Sequence, residues 1–245
     1  MDFPKNLLTT NNAKTIKGEK LGYMTYILYM SSYTQNSKGI NLCSHASVGC
    51  SNACLFNSGY GGFQPHVKQA RIKKSEYFLA DRKRFLNQLK LEIELALLRN
   101  EGKAIVTIRL NGTTDIRYEK FKIFNGKNIF ELFPDVQFYD YTKNYLRFNS
   151  ELPKNYHLTF SRSETNDKKC KEVLKKGFNV AMVFNKLPKT YMGYKVVNGD
   201  VDDLRFLDEK NVIVGLKYKN LTDGTNNKDA LVSGFVIDTK DMELV

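Results

Sequence analysis

The stretch from Ala104 to Asp115, AIVTIRLNGTTD, decides the fold, because an apolar run is followed at once by a polar turn. The pattern recurs as a run at Val136–Tyr139 ending in Asp140–Lys143, a run at Tyr156–Phe160 ending in Ser161–Glu164, and a run at Val212–Leu216 ending in Lys217–Lys219. Continuous apolar strands with helices or long connections between them are typical of parallel α/β folds. Ligands of such folds bind at the carboxyl ends of the strands, so we expect the polar tails to face a ligand.

Further elements follow from the same patterns. The segment Gly22–Ser32, GYMTYILYMSS, predicts a first buried strand, and Asn179–Phe184 predicts a later one. Leu231–Ile237 is expected to be an edge strand. These strands predict a partial (β/α) barrel of about six mostly parallel strands, and an open doubly wound sheet is the alternative.

Two helical regions separate the strands. The first begins at Pro65 and ends near Gly102, with one apolar face formed by Phe78, Phe85, Leu89, Ile93 and Leu97. The second is capped by Asn166, runs to Lys176 and stops at Gly177.

The chain is expected to form a single domain over residues 1–245, with residues 1–20 as an N-terminal arm and residues 33–64 as a cysteine-containing loop. Whether the N-terminal part instead adds a strand to the sheet stays open. No apolar run reaches the length that spans a bilayer, and residues 1–14 lack the apolar core of a signal peptide. We therefore expect no membrane contact and a cytoplasmic protein, in the host cytoplasm if a phage encodes it. The sequence leaves the oligomeric state open.

The charge balance is strongly basic, with a net charge of +12. Such an excess favours an anionic partner, either nucleic acid or a phosphorylated small molecule, although scattered lysines also serve solubility alone. Arg71, Lys73 and Lys74, preceded by Tyr60 and Phe63, have the mixed basic and aromatic character of single-stranded nucleic-acid sites. A solvated helix face is the alternative interpretation.

Three of the four cysteines, Cys43, Cys50 and Cys54, lie within one short polar loop. In a reducing compartment such clustered thiols more often bind metal than form disulfides. Thiolates suit an iron–sulfur cluster or zinc, and zinc would need a fourth ligand such as His45 or His66. Cys170 differs, because it shares a helix face with Val173 and Leu174 and is expected to be a buried structural thiol.

The polar tails supply the other candidate site residues, which we expect to bind a cofactor: Asn111, Gly112, Thr113, Asp115, Asp140, Lys143, Ser161, Ser163 and Glu164. Each also has a simpler interpretation, as a turn residue, a helix cap or a surface lysine. Their recurrence after successive strands favours a ligand-binding role.

Five segments together resemble the phage "gene product 88" family: NLCSHASVGCSNAC, RLNGTTDI, FYDYTK, YHLTFSRSE and GDVDDLRFLD. The resemblance begins near Cys43 and continues to the C-terminus. It implies a phage-type protein and little about activity.

The layout also resembles, more distantly, the radical S-adenosylmethionine (SAM) enzymes, which are partial α/β barrels with a three-cysteine loop after the first strand. That resemblance implies that Cys43, Cys50 and Cys54 bind a [4Fe–4S] cluster. It also implies that Asn111, Gly112, Thr113 and Asp115 lie at the methionine end of SAM, and that Ser161, Ser163 and Glu164 take the role of the residues after strand four.

Two hypotheses of function result. The first is a radical SAM-like enzyme that cleaves SAM reductively and acts on a nucleotide or nucleic-acid-related substrate. The second is a non-enzymatic, basic nucleic-acid-binding protein with a structural zinc or iron–sulfur site. A zinc hydrolase is less well supported, because the sequence has no HExxH motif.

Overall fold

A computed structural model describes residues 3–10, 13–54, 64–218, 231–240 and 242–244. Within these ranges ten strands, most of them parallel, form an open sheet. The helices of the same ranges are α1 (Ala13–Glu19), α2 (Val48–Asn52), α3 (Pro65–Ala80), α4 (Arg82–Asn100), α5 (Ile129–Leu132) and α6 (Asp167–Lys175). The mixed α/β class is thus confirmed, but these ranges contain ten strands rather than the six or so predicted, because some strands have only two residues and no apolar run of their own.

The chain packs as two compact units, each assembled from separate segments. Unit 1 contains Met1–Ser44, Pro65–Asp140 and Leu152–His157, and unit 2 contains His45–Gln64, Tyr141–Glu151 and Leu158–Val245. A single domain over residues 1–245 stays a prediction.

Unit 1 is built on strands that follow one another in sequence. They are β1 (Leu8–Thr9), β2 (Tyr23–Leu28), β3 (Ile105–Arg109) and the start of β4 (Gln137–Thr142), and they are neighbours in that order. β2 and β3 run parallel over five residue pairs, from Tyr23 with Ile105 to Ile27 with Arg109. β1 adds an antiparallel strand to β2, so the N-terminal segment contributes to the sheet.

The long helical region predicted from Pro65 to near Gly102 is confirmed, and it is divided at Asp81 into α3 and α4. The Asp81 carboxylate accepts a hydrogen bond from the Arg84 amide and caps α4 at a new start. The expected apolar face is confirmed at Phe78, Phe85, Leu89 and Ile93, which are buried. Leu97, its fifth predicted member, is half-buried.

Unit 2 contains the remaining strands. They are most of β5 (Tyr156–Ser161), β6 (Val180–Phe184), β7 (Thr190–Tyr191), β8 (Tyr194–Asn198), β9 (Ile213–Lys217) and β10 (Val236–Ile237). β9 lies between β6 and β8, and β7 pairs with β8.

β10 has an unusual position beside β6. β5 pairs with β6 only at Val180 and Ala181, whereas β10 pairs with Val183 and Phe184 further along the same strand. The strand expected at Leu231–Ile237 is therefore limited to two residues, and it pairs with an interior strand. No helix in the part of the chain that the structure describes is long and apolar enough to cross a membrane.

Candidate metal-binding loop

The three clustered cysteines are reduced thiols of intermediate exposure. Cys50 lies on the short helix α2, and Cys54 follows the end of that helix within unit 2. Cys43 belongs to unit 1. Across the described ranges, no group of three or more His, Cys, Asp or Glu side chains is arranged to hold a metal ion.

Glu164 anchors the start of α2. One carboxylate oxygen accepts a hydrogen bond from the Ser47 hydroxyl at 2.6 Å, and the other accepts one from the Gly49 amide at 2.8 Å. Ser47 is the N-cap of α2 and accepts in turn from the Cys50 amide. Burial works to raise the pKa of Glu164, but the hydrogen bonds from Ser47 and Gly49 outweigh it and hold that pKa below its ordinary value.

Gly49 lets α2 approach the segment before β10 closely. A Cβ atom at this position would lie 2.8 Å from Phe235 Cβ and 2.9 Å from a Glu164 carboxylate oxygen. Cys50 and Ala53 pack against Phe235 and its neighbour Val236. The helix that carries Cys50 is therefore fixed by packing on one side and by a carboxylate at its start.

Arg162 holds the same segment in place. This buried guanidinium donates to the carbonyls of Gly234 at 2.6 Å and Phe235 at 3.0 Å, and it forms an ion pair with Asp167 at 2.7 Å. The Lys143 ammonium lies 5.8 Å from the centroid of the Phe235 ring. Lys143 and Glu164, both predicted site residues, thus contact parts of the cysteine loop or its support.

The two predicted serines after β5 surround a helix cap. The Asn166 side chain accepts from the Ser163 amide at 2.7 Å and donates to the Ser161 carbonyl at 3.1 Å. Asn166 is the N-cap of α6, as predicted, but its side chain bonds these serines and the Cys170 thiol, and caps no helix amide. Cys170 is fully buried, as expected, and burial raises the pKa of its thiol to about 12.

In unit 1 the tail of β3 lies against Cys43. The Cys43 sulfur contacts the Thr113 carbonyl at 3.5 Å, and the Asp115 amide donates to the Leu42 carbonyl at 3.0 Å. Gly112 passes close to β2, since a Cβ there would lie 2.7 Å from Ile27 and Tyr29 side-chain atoms. Thr113 thus contacts the first cysteine and Asp115 contacts its neighbour Leu42, whereas Gly112 lies against Ile27 and Tyr29.

Asn111 and Asp140 form a buried hydrogen-bond network that shapes this tail. The Asn111 side-chain oxygen accepts from the Thr114 hydroxyl at 2.9 Å and the Ile116 amide at 2.8 Å. Asp140, fully buried, accepts from the Asn111 amide at 3.0 Å and the Tyr156 hydroxyl at 3.0 Å. Both side chains therefore hold the turn after β3.

The three basic residues predicted as part of a nucleic-acid site lie on α3, and among them only Lys73 is exposed. Lys74 is buried, and its ammonium donates to the Leu7 carbonyl at 2.6 Å. Burial lowers the pKa of Lys74 to about 8, with nearby Glu92 opposing the shift. Arg71 lies over the Tyr29 ring, while Tyr60 and Phe63 fall outside the described residues. His45 and His66 are exposed.

Sequence reasoning missed the residues that support the loop: Ser47, Gly49, Arg162 and Phe235. Ser47 directly before an apolar residue and a glycine offered a capping signal. The roles of Arg162 and Phe235 depend on contacts between segments distant in sequence, and no local pattern indicates them.

Comparison with known proteins places the chain in a family. The model of the Gene product 88 family matches residues 6–238, almost the whole chain. No curated protein and no solved structure matches the chain. The chain therefore belongs to the Gene product 88 family.

Proposed function

We propose that this protein binds a [4Fe–4S] cluster through Cys43, Cys50 and Cys54, and that it is a radical SAM-like enzyme acting on a nucleotide or nucleic-acid-related substrate. The observation that carries the proposal is the presence of three reduced, half-buried thiols in one loop after β2. Thiolates are the usual ligands of iron–sulfur clusters. When bound and reduced, such a cluster supplies the electron that cleaves SAM into methionine and a 5′-deoxyadenosyl radical.

The support around α2 is consistent with this proposal. Glu164, Gly49 and Phe235 fix the backbone at Cys50, so one ligand is held in place before metal arrives. We infer that metal binding is coupled to local folding at the cysteines, as is common for metal sites. Zinc, with His45 or His66 as a fourth ligand, is the alternative metal.

The polar tails take different roles in the proposed site. Asp115 and Lys143 are half-buried, and we propose that they contact SAM or the substrate directly. Asn111 and Asp140 are buried in their own network, and we propose that they position the turn that contains Gly112 and Thr113. We further propose that the open, mostly parallel sheet is the partial barrel that this function implies.

The test is the iron, sulfide and zinc content of anaerobically purified protein, with its visible absorption spectrum. Wild type is compared with Cys50→Ala and with Cys170→Ala, which removes a thiol outside the loop. We expect near-stoichiometric cluster in wild type and Cys170→Ala, and a loss in Cys50→Ala. Stoichiometric zinc without iron would refute the enzyme proposal. A full cluster without reductive formation of 5′-deoxyadenosine from SAM would refute the radical SAM part alone.

The second candidate is a non-enzymatic nucleic-acid-binding protein with a structural metal. The net charge of +12 favours it, because basic proteins attract the phosphate backbone. Zinc content together with salt-sensitive binding to DNA or RNA would support this candidate over the first.

A further inference from the structure

Unit 1 contains a cavity of about 380 Å³ whose wall is dominated by cations. Its lining consists of Arg82, Lys83, Leu86, Lys120, Phe121, Lys122 and Ile123. Most small-molecule pockets of this size are lined by apolar residues. A concave site lined by charges of one sign concentrates ions of the opposite sign, so this cavity favours an anion.

Arg82 is held in position at the cavity wall. Its guanidinium carbon lies 4.9 Å from the centroid of the Phe78 ring and 4.7 Å from that of Phe121. When a guanidinium stacks on aromatic rings, the N–H donors at its edge remain available to a phosphate. Because the side chain is already ordered, it loses less conformational entropy on binding. The aromatic pair therefore prepares Arg82 for an anionic ligand.

The start of α4 adds to the positive potential. Its first turn contains Arg82, Lys83 and Arg84 and no acidic residue. Cations at a helix N-terminus oppose the helix dipole, and the one carboxylate there, that of the N-cap Asp81, offsets only part of the charge of three cations. An anion bound at the cavity would offset the rest.

The acidic residues near the cavity already have partners, and one of these partners, Lys122, lines the cavity itself. Glu131 forms an exposed ion pair with Lys122 at 3.0 Å and also accepts from the Asn128 amide at 2.6 Å. Glu119 pairs with Arg117, and Asp81 accepts from the Arg84 amide. Among the residues that the structure describes, no acidic side chain lines the cavity itself.

We propose that this cavity binds the phosphate group of a nucleotide, either free or within a single strand of nucleic acid. Arg82, Lys83 and Lys120 contact the phosphate oxygens, whereas Lys122 is paired with Glu131. Phe121 with Leu86 and Ile123 forms the apolar part of the wall. The inference does not depend on a metal, because none of these residues belongs to the cysteine loop.

The test is fluorescence polarisation of a labelled single-stranded oligonucleotide, with AMP and pyrophosphate as competitors. A cavity variant, Lys83→Glu with Lys120→Glu, is compared with a control, Lys154→Glu with Lys210→Glu, which changes the net charge equally at exposed lysines outside the cavity. We expect the cavity variant to weaken binding at least about tenfold more than the control. Its salt slope should fall by about 0.7 for each lysine removed.

The proposal would be overturned if the cavity variant and the control lost affinity for the oligonucleotide equally, or if no probe bound at about 50 mM salt. Competition by AMP at low concentration would identify a free nucleotide as the ligand, and binding of the strand alone would identify nucleic acid. The Cys50→Ala protein should bind like wild type, which separates failure of this proposal from failure of the cluster proposal. Arg82→Lys, which keeps the charge but changes the stacking group, should also weaken binding.

Discussion

At the scale of single residues, Arg205 and its carboxylates show how burial changes a titration. The Arg205 side chain is almost fully buried and forms ion pairs with Asp202 at 3.0 Å and Asp208 at 3.2 Å. Burial raises the pKa of Asp208 to about 6, with Arg205 opposing and with Asp202 and Asp203 adding to the rise. The folded protein therefore holds a proton on Asp208 at a pH where the unfolded chain has lost it.

This shift predicts a change of stability with pH. Protonated Asp208 contributes to the free energy of unfolding. This contribution is fully present below the pKa of Asp208 in the unfolded chain, about 4, and is lost as the pH rises through about 6. Asp208→Asn should remove that loss, so its stability relative to wild type should improve by about 1–2 kcal/mol from pH 4 to pH 7, a value reduced for partial exposure. Urea unfolding across this range measures the difference.

Asp135→Asn is the matched control, since Asp135 is exposed. If the difference in free energy of unfolding between Asp208→Asn and wild type stays constant with pH, the raised pKa of Asp208 is contradicted. A pH-dependent difference of the same size in Asp135→Asn would also contradict it.

At the scale of elements, the tight packing of α2 makes this helix sensitive to mutation. Gly49→Ala would bring a Cβ to within 2.8 Å of Phe235 Cβ and the Ser233 hydroxyl. Alanine is favoured over glycine in a helix by about 1 kcal/mol, whereas overpacking costs about 1–3 kcal/mol. We expect the packing cost to dominate and the variant to be less stable, as measured by urea unfolding.

Ser51→Ala, on the same helix, is the control for this prediction and should be close to neutral. A Gly49→Ala protein as stable as wild type or more stable would show that α2 can move away from Phe235. If the cluster proposal is correct, Gly49→Ala should also retain less iron than Ser51→Ala.

The elements differ in how far the sequence predicts them. Long apolar strands such as β3, β6 and β9 lie within one residue or so of their predicted bounds, because burial on both faces leaves a continuous apolar run. β1 and β7 have two residues each and no pattern of their own. β4 continues through polar Asp140 because main-chain amides and Tyr156 satisfy the carboxylate, which a sequence pattern does not reveal.

The candidate site divides in the same way. The cysteines are evident from sequence because thiols are rare and three of them are clustered. The sequence predicts Glu164 as a polar residue after a strand, but it does not predict the hydrogen bond to Ser47, which joins positions 117 residues apart. The basic cavity was not predicted, because Arg82 and Lys120 come from separate segments that only the fold of unit 1 brings together.

At the scale of the whole molecule, the two units are interleaved along the chain. Unit 1 depends on the short segment Leu152–His157, which follows part of unit 2 in sequence. The Asn155 amide group in that segment donates to the carbonyls of Phe133 at 2.8 Å and Val136 at 3.1 Å. The Tyr156 ring stacks on Phe130 with centroids 4.2 Å apart.

A fragment of residues 1–140 should therefore fold poorly, although it contains most of unit 1. A fragment of residues 1–157 should recover a more cooperative urea transition, because it restores Asn155 and the Tyr156 hydroxyl that donates to Asp140. Circular dichroism followed through a urea titration measures both. Equal midpoints and slopes for the two fragments would contradict this dependence.

The position of β10 beside β6 also has a consequence for biosynthesis. The ribosome makes the cysteine loop long before it makes Phe235, against which Cys50 packs. A growing chain therefore exposes α2 without its support, and the far half of β6 lacks the hydrogen bonds of β10. If the thiols hold a metal, the centre would gain its full support only after Phe235 has been synthesised and has packed against α2.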